Sequence, residues 1–134
     1  MTTADITTPL PENEVRVNRR KAINSLRNTQ YPKICGKFVI RDGPWDTPGE
    51  VVGCCAVPII AEALGLADIE DWGSPNWAGS SHVSEGLTRM LDFEESRIYV
   101  LSDSTTTFTN TANVLAIVWD LPLWERGELW EEEL

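Results

Sequence analysis

Gly53-Cys54-Cys55-Ala56-Val57-Pro58-Ile59-Ile60-Ala61-Glu62-Ala63-Leu64-Gly65 is the longest apolar run in the chain, broken only by Glu62. From Cys54 to Leu64 it reads as a helix that is mostly core. Pro58 is acceptable only within the first turn, where a missing N–H leaves no bond unmade. Gly65 follows as the residue able to take the left-handed backbone that ends many helices. The run is far shorter than the ~18–20 apolar residues that cross a bilayer, so no membrane partner is expected. A single buried central helix in a chain of 134 residues predicts one small domain organised around it.

The segments on either side supply the layers that cover this helix. From Asn13 to Arg27 the apolar residues Val15, Ala22, Ile23 and Leu26 fall on one face, which predicts a first helix. Ile34 to Ile40 carries Phe38, Val39 and Ile40 and predicts a short strand. Arg41 to Gly53 holds Gly43, Pro44, Pro48 and Gly49 around Trp45 and reads as a loop. A further loop covers 66–81, and Val83 to Leu91 forms a helix with Ser80 or Ser81 near its cap, slightly weakened by Gly86. Arg97-Ile98-Tyr99-Val100-Leu101 is rich in β-branched and aromatic residues and reads as the clearest strand. Phe108, Ala112, Leu115, Ala116 and Trp119 then recur at helical steps from a start near Thr107 to a stop at Pro122. The expected fold is α+β, with about four helices on a two- or three-stranded antiparallel sheet over residues 13–122. A flexible arm (1–12) precedes it and an acidic, tryptophan-bearing tail (123–134) follows.

Charge is distributed unevenly. The net value is −10, yet residues 16–41 hold eight basic side chains and no acid. An acidic whole argues against unassisted binding to nucleic acid, whose affinity comes from neutralising phosphates, and favours basic partners. The arginines of the first helix could meet an anionic ligand or a second subunit, or could neutralise the acidic remainder of the same chain. Asp5 in place of a basic start, with no apolar stretch after it, does not resemble a secretion signal. Three cysteines, two of them adjacent, make a poor disulfide framework. A cytoplasmic location is the expectation.

Three blocks resemble a family of small uncharacterised proteins of phages and bacterial mobile elements. The first is Ala22 to Gly36, within KAINSLRNTQYPKICGKF, similar to a helix followed by Leu-Arg, a Tyr and a Gly-containing strand. The second is Gly53-Cys54-Cys55, which resembles the paired-cysteine start of the family's central helix. The third is Leu101-Ser102-Asp103 with Thr107-Phe108 and Ala112, similar to its Leu-Asn-Asp turn and closing helix. The sequence departs from that pattern at Val57, where Gly is expected, and at Ser102, where Asn is expected. The resemblance implies a phage-like origin and an α+β fold, and brings no activity with it.

Candidate chemistry is sparse. Cys54 or Cys55 at a helix start could hold a stabilised thiolate, with His82 as base and Asp103 as its orienter, giving the residue types of a cysteine hydrolase. The plainer reading is that two cysteines in an apolar run are packed. Cys35, Cys54, Cys55 and His82 lack zinc-ligand spacing, and Asp68, Glu70 and Asp71 lack the Gly and distal Glu of a calcium loop, so no metal is expected. No phosphate-cradling or dinucleotide glycine motif occurs, and no cofactor is implied. Six tryptophans are the unusual count, and Trp45, Trp72 and Trp77 fall in loops, where aromatics can anchor an interface. Trp124 and Trp130 in the tail could dock on the protein's own core or on a partner.

The expected function is therefore non-enzymatic: a phage-like accessory protein that inhibits or sequesters a basic or nucleic-acid-handling host component. Trp72, Trp77, Asp68, Glu70, Asp71 and Trp45 would form the contact. Alternatives are a binder of a nucleotide-like ligand stacked beside Arg41 or Arg97, a cysteine-dependent hydrolase, and a virion structural protein. Self-association through the basic helix is a further expectation.

Overall fold

A computed structural model describes residues 10–44, 49–72 and 80–121. Its elements in chain order are α1 (Glu12–Asn28), β1 (Val39–Arg41), β2 (Val51–Cys54), α2 (Ala56–Ala63), a single 3-10 turn (Ile69–Asp71), α3 (Ser80–Leu91), α4 (Glu95–Asp103) and α5 (Phe108–Val118). Among the described residues there are five α-helices and one two-stranded antiparallel sheet, an α+β domain.

The central helix, expected over Cys54–Leu64, runs Ala56–Ala63, because Cys54 is paired in β2 and Cys55 keeps an extended backbone. Ala56 through Ala61 are all buried, and Pro58 occupies the third position, inside the first turn. Ala63 is the last helical residue, and Gly65 takes φ +75° beyond it. There the Leu66 N–H donates back to the Ala61 carbonyl at 2.9 Å, a C-terminal motif that needs a left-handed residue at position 65. On α1 the buried residues are Asn18, Ala22, Ile23 and Leu26, a stripe at helical spacing that packs on α2, α3 and α5. The core runs through α2 and takes Ile23, Leu26, Leu87, Leu91, Ile98 and Leu115 from the helices around it. Burying each such side chain contributes about 1.5–3 kcal/mol against leaving it in water.

The sheet departs from the sequence expectation in two places. The strand expected over 34–40 is reduced to Val39–Arg41, and a second strand, Val51–Cys54, lies where a loop was expected. Val39 pairs with Cys54, Ile40 with Gly53 and Arg41 with Val51, the shift in register marking a bulge. The other edge of Cys54 is also used: its N–H donates to the Pro32 carbonyl at 3.1 Å and its carbonyl accepts from Ile34 N–H at 3.0 Å. The chain from 32 to 41 thus wraps Cys54 from both sides. A Cβ on Gly53 would lie 2.8 Å from the Ile34 methyl Cγ2, so this close wrap requires glycine.

The larger correction concerns residues 97–101. They form the middle of α4, not a strand. Ile98 and Ser102 are fully buried and Leu101 packs against the core, which is spacing i, i+3, i+4 and places one helical stripe against α2 and α5. Local β-propensity is outweighed by this packing. Thr107 caps α5, its side chain accepting the Asn110 N–H at 3.0 Å, in agreement with the start read from sequence. Helix α3 begins at Ser80, ahead of the expected Val83, and α1 begins one residue early at Glu12.

Candidate functional site

The cysteine pair sits at the junction of β2 and α2 and is fully buried. Burial pushes the Cys54 thiol up to about 12, with Cys55 and Glu62 adding to the rise. Cys55 is also pushed up to about 12, again chiefly by burial; the Val57 backbone N–H at the helix start pulls the other way and loses. The helix terminus thus acts in the direction that favours a thiolate, but the cost of burying a charge is larger. His82 is exposed in the first turn of α3. Asp103 accepts the Gly36 N–H with its carboxylate at 3.1 and 3.3 Å, fixing the turn before β1. Among the described residues no hydrogen bond joins His82 to Asp103 or to either cysteine. Cys35, the one exposed thiol, donates to the Asp103 carbonyl at 3.6 Å with Lys33 Nζ 3.7 Å away.

The acidic segment is organised by an arginine. Arg41, at the end of β1, is mostly buried and donates from Nε to the Trp72 carbonyl and from Nη1 to the Gly49 carbonyl, each at 2.7 Å. Its Nη2 donates to the Glu70 carbonyl, and the Glu70 carboxylate stands 3.7 Å from Nη1. One planar guanidinium thereby holds three main-chain carbonyls, a fork geometry that lysine lacks. The 3-10 turn is tied at its other end by Glu62, whose carboxylate accepts the Ile69 N–H at 2.9 Å. Asp68, Glu70 and Asp71 are left exposed on this frame. Tyr31 lies close enough for Glu70 and Glu62, after burial, to raise its hydroxyl above the usual value.

The aromatic expectations are redistributed. Trp72 is 2% exposed, its ring centroid 5.1 Å from Phe38, which in turn meets Tyr99 edge-on at 5.3 Å. Trp72 is thus a core residue and does not present its ring for stacking. Arg97 is exposed on α4, its guanidinium 4.2 Å above the Phe93 ring. Trp45, Trp77, Trp124 and Trp130 lie outside the described residues.

A groove that sequence reading did not single out runs between α1 and α3, with a volume of about 990 Å³. Leu10, Val15, Trp119 and Leu121 give it apolar walls, and Glu12, Arg16, Glu85 and Arg89 are among its charged lining residues. No local pattern announces it, because its lining comes from three separate stretches of the chain, 10–19, 84–92 and 119–121. Among the described residues no group of three or more His, Cys, Asp or Glu could hold a metal ion, and no helix is long and apolar enough to cross a membrane. No family model, curated protein or solved structure matches the chain.

Proposed function

We propose that this protein acts by binding a basic macromolecular surface rather than by catalysing a reaction. The observation that carries the reading is the Arg41 brace: three carbonyls gathered on one guanidinium leave Asp68, Glu70 and Asp71 exposed on a fixed turn. A rigid group of carboxylates loses little conformational entropy on meeting cations and so recognises a basic surface better than a loose acidic loop. The buried thiols, pushed up to about 12, weigh against the hydrolase alternative. The buried Trp72 weighs against stacking of a nucleotide-like ligand beside Arg41, whose guanidinium is committed to carbonyls. The net charge of −10 agrees with a basic partner, and a nucleic-acid-handling host component is the class of basic protein that the reading names.

The test is affinity capture of host proteins across a salt series, with the native chain beside D68N/E70Q/D71N. A basic partner held at about 0.1 M salt and released well below about 1 M, and absent from the triple variant, is the expected result. Retention by the triple variant at high salt would sink the reading.

A further inference from the structure

Helix α5 differs from the other helices in what it shows to solvent. From Ser104 to Trp119 the sequence carries no Asp, Glu, Lys, Arg or His, the longest uncharged run in the chain. One side of α5 is core, through Phe108, Thr111, Ala112, Leu115 and Ala116. On the other side Thr109 and Asn110 are exposed, Asn113 and Val114 are half-buried, and Ile117 and Val118 are 62% and 44% exposed. Asn110, Asn113, Val114, Ile117 and Val118 follow one another at three- and four-residue steps, a single stripe about 12 Å long. Each of the other four helices keeps a charged side chain in solvent: Lys21 on α1, Glu62 on α2, Glu85 on α3 and Arg97 on α4. We infer that a second copy of this chain covers the stripe, the two α5 helices meeting about a two-fold axis.

Charge decides the occupant. A two-fold contact sets each patch against its own image, so a patch bearing one sign of charge opposes itself. With a net charge of −10, two copies repel over most of their surfaces, and the α5 stripe is a face that brings no like charge into contact. Its polar members suit the same arrangement, since an Asn amide both donates and accepts and so can pair with another Asn. A basic partner would find no carboxylate on this face; the exposed Asp68, Glu70 and Asp71 belong to the 3-10 turn. The polar side chains are also held before contact. Arg27 Nη2 donates to Asn113 Oδ1 at 3.2 Å, and Asn110 Nδ2 donates to Thr106 Oγ1 at 3.0 Å, so little rotamer entropy remains to be lost. Because Arg27 bonds to α5 and Arg19 to the end of α3, self-association moves from the basic helix to its neighbour. One short helix from each copy makes a small interface, which sets the expected Kd at about 10 μM to 1 mM.

Sedimentation equilibrium of the full chain from about 10 μM to about 1 mM, at two salt concentrations, tests this. The mass should climb with concentration from the 15.0 kDa of one chain toward twice that value. Raising NaCl from about 0.05 M to about 0.5 M should tighten association roughly threefold or more, because screening removes repulsion between two acidic copies. Capture of a basic partner moves the opposite way with salt, which keeps the two kinds of binding distinct. Ile117→Lys should weaken association roughly tenfold or more; it takes each copy from −10 to −9, so long-range repulsion is not the cause. Val118→Lys should act in the same direction, whereas Val52→Lys, at an exposed valine of β2, should leave association unchanged. All three positions are exposed, and an unaltered melting temperature at low concentration checks that each variant folds. A single-chain mass throughout would overturn the inference. So would association indifferent to Ile117→Lys and Val118→Lys, or association that weakens with salt, which would set the basic α1 of one copy on the acidic surface of another.

Discussion

The hydroxyl of Ser102 in α4 accepts the backbone N–H of Ala56 at 3.0 Å, and Ser102 and Ala56 are both fully buried. Helix α2 has no side-chain cap of its own, since Cys55 precedes it without such a bond. The cap arrives from 46 residues away and fastens α4 to the start of the central helix. Ser102→Ala leaves a buried N–H without its acceptor and should cost about 1–3 kcal/mol. Urea denaturation should show a lower midpoint with an unchanged slope; an unaltered midpoint would mean that water takes the hydroxyl's place.

Iodoacetamide at pH 8 should add one adduct per native chain, at Cys35, and reach Cys54 and Cys55 only on denaturation. The same burial predicts an alkaline weakness. Both thiols rise from 9.0 to about 12 on folding, so above pH 9 the unfolded chain releases protons that the folded one retains. Stability is then full below about pH 9 and falls as pH rises toward about 12, by up to ~1.4 kcal/mol per pH unit for each thiol. Cys55→Ala should flatten that fall, measured as urea midpoints at pH 8, 9 and 10. A slope identical to that of the native chain would show that Cys55 does not carry it.

Arg41→Lys keeps the charge and loses the fork. Lysine can satisfy one of the Gly49, Glu70 and Trp72 carbonyls, leaving the others without their donor, at a cost of about 2–3 kcal/mol. Partner capture should weaken along with stability, whereas D68N/E70Q/D71N should weaken capture with a smaller loss of stability, that of the exposed Glu70–Arg41 ion pair. Hydrogen exchange at Asp71 and Trp72, whose N–H groups bond within the turn, reports the brace directly and should quicken in Arg41→Lys.

Helices α2, α3 and α5 end in the same way. Leu66 N–H returns to Ala61, Phe93 N–H to Thr88 and Leu121 N–H to Ala116, each across a left-handed residue: Gly65, Asp92 and Asp120. Only the first is glycine. Gly65→Ala should therefore destabilise by about 1 kcal/mol, read as a lower melting temperature.

These helix ends show which information a local stretch of sequence carries. Gly65 and Thr107 mark boundaries because a left-handed residue and an N-cap act within a few residues of themselves. Arg97–Leu101 misleads because its β-branched content is local, while what makes it helical is the fit of Ile98 and Ser102 against α2. Val51–Cys54 is hidden for a related reason, since four residues acquire strand character only from Val39–Arg41 and Pro32–Ile34 on either side. At the candidate site the exposed Asp68, Glu70 and Asp71 are legible as charge. Their brace is not, because Arg41 grips main-chain carbonyls 8, 29 and 31 residues away, and carbonyls leave no trace in residue identity. Trp72 is buried by contacts distant in sequence, Phe38 among them.

The basic helix shows the same distinction and yields the last prediction. Sequence leaves the arginines of α1 open to an anionic ligand, a second subunit or the acidic remainder of the chain; Arg19 is turned to the end of α3. It donates to the Leu91 carbonyl at 2.8 Å and the Asp92 carbonyl at 3.2 Å, while Asn18 donates to the Met90 carbonyl at 3.0 Å. A helix of twelve residues leaves its last carbonyls without partners and its C-terminus partly negative; a cation placed there satisfies both needs. Burial pulls the Arg19 guanidinium below its usual value, with Asp92 opposing, and an arginine so shifted still keeps its proton at neutral pH. The guanidinium also lies 5.2 Å from the Trp119 ring centroid. Arg19→Met keeps the packing of the stem and removes the bonds, and should cost about 1–2 kcal/mol. Arg19→Ala loses both and should cost about 2–3 kcal/mol. If Arg19 served an external anion instead, both variants would melt with the native chain and only ligand binding would change.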